Sequence, residues 1–202
     1  MVAPKSKKNA EDIARLYSNI GVGLVFVEAK DHDRLKGYIQ IFKEHGIEAL
    51  SRITIEVHDW LTAIGNVRAY SQKYDIVAVK PKTAEAARLA ARDPRVTVVQ
   101  LSPSMARYMD RSQALMLREG STVIEVKLLP LLYHDDPRRT LRGIMIITRR
   151  AVAYEAPLVV GSGAREVWEV WHPRQVIALL SSFGLPVSVC KSIILGNCRL
   201  AL

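Results

Sequence analysis

Asp75-Ile-Val-Ala-Val-Lys-Pro-Lys-Thr-Ala-Glu-Ala-Ala-Arg-Leu-Ala-Ala-Arg92 decides the fold. The apolar run Ile76 to Val79 is short and rich in β-branched residues, as in a strand buried on both faces. It runs straight into Lys80-Pro-Lys82, and Thr83 opens a helical stretch that ends at Arg92. A doubly buried strand followed by a helix is the unit of a parallel sheet with helical crossovers. Working outward, the unit recurs. Upstream, a strand at 23–27 precedes a helix capped by Asp31, in which Leu35, Tyr38, Ile39 and Phe42 follow i, i+3, i+4, i+7 spacing and Gly46 is the C′ residue. A second strand lies within 47–57, and the helix after it, 59–72, is expected to bury Trp60, Ile64 and Val67. Downstream, strand 95–101 precedes helix 104–117. Strand 122–127 precedes helix 137–155, with Asp135 or Asp136 as N-cap and Pro137 at N1. Strand 157–160 leads through Gly161-Ser-Gly-Ala-Arg165 to a helix from Pro173 to Phe183-Gly184, and a helix near 187–195 and a segment 197–202 close the chain.

The alternation predicts an α/β fold, an irregular TIM-like barrel of about seven mainly parallel strands with outer helices. No GxGxxG follows the first strand, as a dinucleotide fold would need. Residues 1–10 read as a basic, disordered arm, residues 10–20 as a short helix, and 11–202 as one barrel domain.

The 202 residues carry a net charge of +9, spread along the chain rather than held in a tail, which favours a polyanionic partner, nucleic acid first. Apolar content is 49%, yet no stretch approaches the roughly 20 apolar residues of a membrane span, and the basic start has no apolar segment behind it as a secretory signal would. Cys190 and Cys198 lie in no CxxC or Cys/His cluster and read as reduced thiols of an intracellular protein.

Barrels carry their functional groups at the C-terminal strand ends, and here three ends carry cations: Lys80, Lys127 and Arg165. The Gly161–Arg165 loop reads either as an anion nest completed by a guanidinium or as a tight βα turn. Along helix 137–155, at about 100° per residue, Arg138, Arg142 and Arg149 fall within roughly 40° of one another, with Arg139 and Arg150 beside them and no acidic i+4 partner. His32, His45, His58, His134 and His172 form neither HxH nor HExxH, and structural roles are expected for them. Glu56 and Glu125, at period-2 strand positions, are expected to pair with basic neighbours such as Arg52 or Lys127.

Four stretches are similar to a known family: Ser51-Arg-Ile-Thr-Ile-Glu56; Lys73-Tyr-Asp-Ile-Val-Ala-Val-Lys80; Met109-Asp-Arg-Ser-Gln-Ala-Leu-Met-Leu-Arg-Glu-Gly-Ser-Thr-Val-Ile-Glu125; and Pro157-Leu-Val-Val-Gly-Ser-Gly-Ala164 with Pro173-Arg-Gln-Val-Ile-Ala-Leu-Leu-Ser-Ser-Phe-Gly-Leu185. Together they resemble ribonuclease P protein component 3, the thirty-kilodalton subunit family of archaeal and eukaryotic ribonuclease P. The resemblance implies a barrel related to the polymerase-and-histidinol-phosphatase (PHP) fold. It implies assembly with a catalytic RNA that removes the 5′ leader of precursor tRNA, the RNA performing the chemistry with magnesium and this chain holding no cofactor or metal. Ribonuclease P RNA, ribonuclease P protein component 2 and the other subunits are the expected partners, precursor tRNA an indirect one, and the cytoplasm the expected location, with no membrane. Matched family positions are Arg52, Lys80, Asp110, Arg111, Glu125, Ser162, Gly163, Ala164, Arg174 and Lys191. From charge and loop position, the RNA contacts are expected at Arg52, Lys80, Lys82, Arg111, Lys127, Arg138, Arg142, Arg149, Arg165 and Lys191, with no catalytic residue. The chain departs from the family pattern over 1–20, where no first strand is recognisable. Two rival functions remain on the residues alone: a metal-dependent phosphoesterase, and a phosphate-binding barrel enzyme holding phosphate at 161–165 with Lys80 or Lys127 as base.

Overall fold

Among the described residues six strands, each followed by a helix, pair in sequence order. They are β1 (Leu24–Glu28), β2 (Glu48–Val57), β3 (Ile76–Pro81), β4 (Val98–Gln100), β5 (Val123–Lys127) and β6 (Leu158–Gly161). Every neighbouring pair is parallel. The computed structural model describes residues 1–29, 31–120 and 122–196. The sheet is curled and irregular, with its helices outside, as the βα rhythm predicts.

The expected seventh strand is supplied by the chain start, and residues 1–10 are not a free arm. Val2 is fully buried and bridges in parallel to Val27 on β1 and to Ala164 just after β6. Its N–H donates to the Phe26 carbonyl at 2.9 Å, and the Ala3 N–H donates to Ala164 O at 2.9 Å. Residues 2–3 thereby join the two edges of the sheet, which satisfies backbone groups an open edge would leave unpaired. Helix α1 (Lys7–Asn19) follows at once, capped by the Ser6 hydroxyl on Asn9 N–H.

The remaining helices are α2 (His32–Glu44), α3 (Trp60–Tyr70), α4 (Ala84–Arg92), α5 (Arg111–Glu119), α6 (Pro130–Tyr133), α7 (Pro137–Ala153), α8 (Pro173–Ser182) and α9 (Val187–Lys191). Asp31, Asp59, Thr83 and Asp136 each cap the helix that follows, satisfying N–H groups that have no partner inside the helix. On α2, Ile41 takes the buried place expected of Ile39. On α3, Ala63 is buried with Trp60 and Val67, and Ile64 is instead 38% exposed. The single helix expected at 104–117 is divided into a 3-10 turn (Pro103–Tyr108) and α5, because the Asp110 carboxylate accepts from Gln113 N–H at 2.8 Å and restarts the helix. The last helix passes from α9 into a π-type turn at Ser192–Gly196. Cys190 is a buried free thiol, and Cys198 lies outside the described residues.

Period-2 alternation divides the strands into two environments. Val77, Val79, Val99, Ile124, Val126, Leu158 and Val160 face the helices. The alternate residues Phe26, Ile76, Ala78, Val98, Val123 and Val159 pack together inside the curl. Two residues or so further along each strand, the same inward positions carry Glu28, Arg52, Thr54, Lys80, Gln100, Glu125 and Lys127. The interior is therefore apolar at one end and polar at the C-terminal ends of the strands.

Candidate nucleic-acid interface

Arg52 is the organising charge of that polar end. It is 0% exposed. Its Nη1 and Nη2 donate to the two carboxylate oxygens of Glu125 at 2.7 and 2.6 Å, Nη2 reaches Gln100 Oε1 at 3.4 Å and Nε reaches Thr54 Oγ1 at 3.3 Å. Glu28 lies 3.9 Å from Nε and accepts from the Thr54 N–H and hydroxyl. Burial by itself would raise the Glu125 carboxyl, but the charges of Arg52 and Lys127 and the Arg52 hydrogen bonds outweigh it and hold it at about 2. A guanidinium enclosed in this way cannot meet a macromolecule. Arg52, expected among the RNA contacts, is a structural cation that ties β2 to β5 across the interior.

The other strand-end cations are engaged to different degrees. Glu56 sits between Lys80 and Lys82, contacting Lys80 Nζ directly and Lys82 Nζ at 3.0 Å, and the two hydrogen bonds hold its carboxyl below the ordinary value. Lys127, half-buried, makes no salt bridge among the described residues. Burial pushes its ammonium down to about 8; Glu125 opposes that and Arg52 reinforces it. Lys80 and Lys127 line a cavity of about 520 Å3 whose far wall is Ser102, Ser104, His134 and Arg139.

The Gly161–Arg165 loop has a nest geometry, but its anion is internal. Gly163 adopts φ +72°, where an L-residue is strained, and Leu128 and Leu129 N–H groups donate to the carbonyls of Gly161 and Ser162 at 2.9 Å. Beyond the turn, the N–H groups of Arg165 and Glu166 donate to Glu169 Oε2 at 2.6 and 3.1 Å, Arg165 Nη2 donates to Oε1 at 3.1 Å, and the Tyr133 hydroxyl donates to the same oxygen. Glu169 is fully buried. Burial alone would raise its carboxyl, and these donors hold it below the ordinary value instead. The phosphate-nest expectation is thus overturned: the place of the anion is filled by Glu169, and Arg165 is held between that carboxylate and the Tyr133 ring, 4.7 Å from its centroid. Nothing in the sequence singled out Glu169; the Glu166-x-x-Glu169 spacing of a capping box was the available signal. Ser162 is structural as well, its hydroxyl 3.1 Å from that of Tyr17 on α1.

Helix α7 buries Thr140, Gly143, Ile144, Ile147, Thr148 and Ala151. Its buried Ile144 and Ile147 contribute about 1.5–3 kcal/mol each. Gly143 permits the close approach: a Cβ there would lie 2.3 Å from the Pro103 carbonyl oxygen. This contact fixes the outward face. Arg138, Arg139, Arg142, Arg149 and Arg150 are all exposed and form no ion pair among the described residues, Arg150 also reaching the Ala106 and Met109 carbonyls at 3.5 Å, and Leu141 is exposed beside them. From Arg138 to Arg150 the row spans about 18 Å. It starts at the cavity, where Arg139 is part of the wall, and ends beside α5, where Arg111 and Arg118 share a hollow with Tyr154 and Glu155. Arg118 is paired with Glu155 at 3.3 Å. Arg111 and Arg149 are therefore on neighbouring elements, which their sequence separation hides. Lys191 on α9 is exposed but lines neither hollow, and Arg174 is exposed in the first turn of α8.

The histidines serve locally where their contacts are defined: His172 Nδ1 caps α8 through Arg174 N–H, and His134 Nδ1 accepts from Asp136 N–H at 3.1 Å. Among the described residues no three His, Cys, Asp or Glu side chains are grouped so as to hold a metal ion, and no helix is long and apolar enough to cross a membrane.

Ribonuclease P protein component 3 of Aeropyrum pernix is 33% identical over 115 residues, covering 56% of this chain and 54% of that protein. The component 3 of Methanosarcina barkeri is 26% identical over 153 residues, covering 72% and 59%. The chain thus spans little more than half the length of these curated relatives. A chain in the cryo-EM structure of an archaeal ribonuclease P with mature tRNA superposes with a TM-score of 0.84 at 18% identity, over 99% of this chain and 88% of that one, and shares its fold. The family described as RNase P subunit p30 matches residues 2–202, from the bridging Val2 to the last residue, and this chain belongs to it.

Proposed function

We propose that this chain is a protein subunit of the ribonuclease P ribonucleoprotein, which removes the 5′ leader of precursor tRNA in the cytoplasm. In this reading it binds and braces the catalytic RNA together with ribonuclease P protein component 2 and further subunits. The chemistry belongs to the RNA and its magnesium, and this chain supplies cations and a rigid surface. The observation that carries the reading is the row of exposed guanidinium groups on α7, without ion pairs among the described residues and held outward by the Gly143–Pro103 contact, in a chain of the p30 family. Arg138, Arg142 and Arg149 lie along one line, and Arg111 extends it onto α5. Guanidinium groups suit phosphate oxygens, and each neutralised phosphate releases condensed counterions. Lys191 is a secondary contact on the same grounds of exposure and charge, and Lys82, half-buried and shared with Glu56, a weaker one.

The test is reconstitution of leader cleavage by the cognate RNA with and without the chain, and with an Arg138→Ala/Arg142→Ala/Arg149→Ala variant. The variant should keep its fold, since exposed substitutions cost within about 0.5 kcal/mol each. It should lower the log–log salt slope of RNA binding by roughly 2–3. An unchanged slope with full reconstitution would remove α7 as the RNA face.

A further inference from the structure

The cavity at the strand ends stands apart from the α7 row in chemistry as well as in place. Three cations line it from three elements: Lys80 ends β3, Lys127 ends β5, and Arg139 sits in the first turn of α7. Its wall adds the Ser102 and Ser104 hydroxyls and the His134 ring, and among the described residues no Asp or Glu lines it. Deeper inside the curl Arg52 is matched by Glu125, and of the three lining cations Lys80 is shared with the mainly exposed Glu56. Lys127 and Arg139 have no such partner among the described residues. A volume of about 520 Å3 falls in the range of pockets that take small molecules, and the ends of parallel strands are where such folds hold ligands. We propose that this cavity is a binding site for a phosphate monoester of nucleotide size, with the Lys127 ammonium as its central contact and Arg139 and Lys80 flanking it. The site does not depend on the ribonucleoprotein reading, and it could be filled by a free nucleotide or by the 5′-phosphate of an RNA end.

Proton linkage gives the proposal a signature. Lys127 faces Glu125, Arg52, Glu28 and Lys80 from the strands, and His134 and Arg139 across the cavity. Its ammonium is held at about 8, chiefly by burial. A bound dianion favours the charged form, so affinity is full below that value and falls as pH rises through it. A phosphate monoester stays dianionic over the same range, with its second pKa at about 6.

The experiment is titration calorimetry on the full chain with AMP, adenosine and inorganic phosphate, and with a short RNA carrying either a 5′-phosphate or a 5′-hydroxyl. At pH 7.5 AMP and phosphate should bind and adenosine should not. Lys127→Met should weaken AMP by about ten- to a hundredfold, the loss expected for a charge-assisted contact. Arg139→Gln, at an exposed position that cannot compromise folding, should also weaken it. Raising the pH to 9.5 should weaken AMP in the native chain and in Arg139→Gln, but not in Lys127→Met. Tighter binding of the 5′-phosphorylated RNA than of AMP assigns the site to RNA ends, and the reverse order assigns it to free nucleotides. Equal binding of AMP and adenosine, no binding of AMP at millimolar concentration, or AMP affinity indifferent to both substitutions overturns the site. None of these outcomes bears on leader cleavage.

Discussion

Replacing Arg52 by Met should be among the most damaging single changes in this chain, and should be largely reversed by a second change. The guanidinium is fully enclosed and makes two charge-assisted hydrogen bonds to Glu125, at 2.7 and 2.6 Å. Without it the Glu125 carboxylate stays buried with Lys127 and the N-terminal ammonium as the nearby cations. Breaking a buried pair from one side costs about 3–5 kcal/mol, or roughly 10 °C in Tm for a chain of this size. Removing both charges, as Arg52→Met/Glu125→Met, should return stability to within about 1 kcal/mol of the native chain, because the desolvation of both groups is removed together. The pH dependence has a definite sign. In the native chain the Glu125 carboxyl is depressed from 4.5 to about 2, so its contribution, on the order of 3 kcal/mol, is complete above pH 4.5 and is lost as pH falls toward 2. In the single variant burial dominates and the carboxyl rises above its ordinary value, so its penalty is largest at neutral pH and shrinks on acidification. Urea unfolding followed by circular dichroism at pH 7 and pH 4.5 measures the gap between native and variant. A gap under 1 kcal/mol at pH 7, a gap that does not narrow at pH 4.5, or a double variant as unstable as the single one would refute the assignment of Arg52 as a structural cation.

Two further substitutions probe the surfaces around the strand ends. Glu169→Gln keeps the shape but removes the charge that collects the Arg165 and Glu166 N–H groups, the Arg165 guanidinium and the Tyr133 hydroxyl; it should cost about 1.5–3 kcal/mol, read as a fall in Tm, and a change within 0.5 kcal/mol would mean the loop does not need its internal anion. Gly143→Ala should destabilise by about 1–3 kcal/mol, since its Cβ would meet the Pro103 carbonyl oxygen at 2.3 Å; helix propensity alone favours Ala over Gly by about 1 kcal/mol, so the sign of the shift in the urea midpoint separates the two effects.

The sequence by itself determined the parallel α/β architecture, because doubly buried strands and amphipathic helices announce themselves through local periodicity. Caps at Asp31, Thr83 and Asp136 and the Gly46 turn at φ +74° follow from short-range chemistry and needed no tertiary context. The basic face of α7 was equally legible, since angular position on a helix is fixed by residue number. What the tertiary structure alone decided is which charges are spent inside the protein. Strand period-2 positions made Arg52 or Lys127 the expected partner of Glu125, but only the fold chose Arg52, across 73 residues of sequence, and Tyr133 meets Glu169 across 36, an encounter that no local pattern encodes. Of three cations at strand ends, all alike in sequence, one is held by Glu169, one shares Glu56 with Lys82, and Lys127 is left to the cavity. The closure at Val2 belongs with these. A single buried valine in a basic segment carries no periodicity, and it becomes part of the sheet only because β1 and the segment after β6 present backbone groups that it can satisfy.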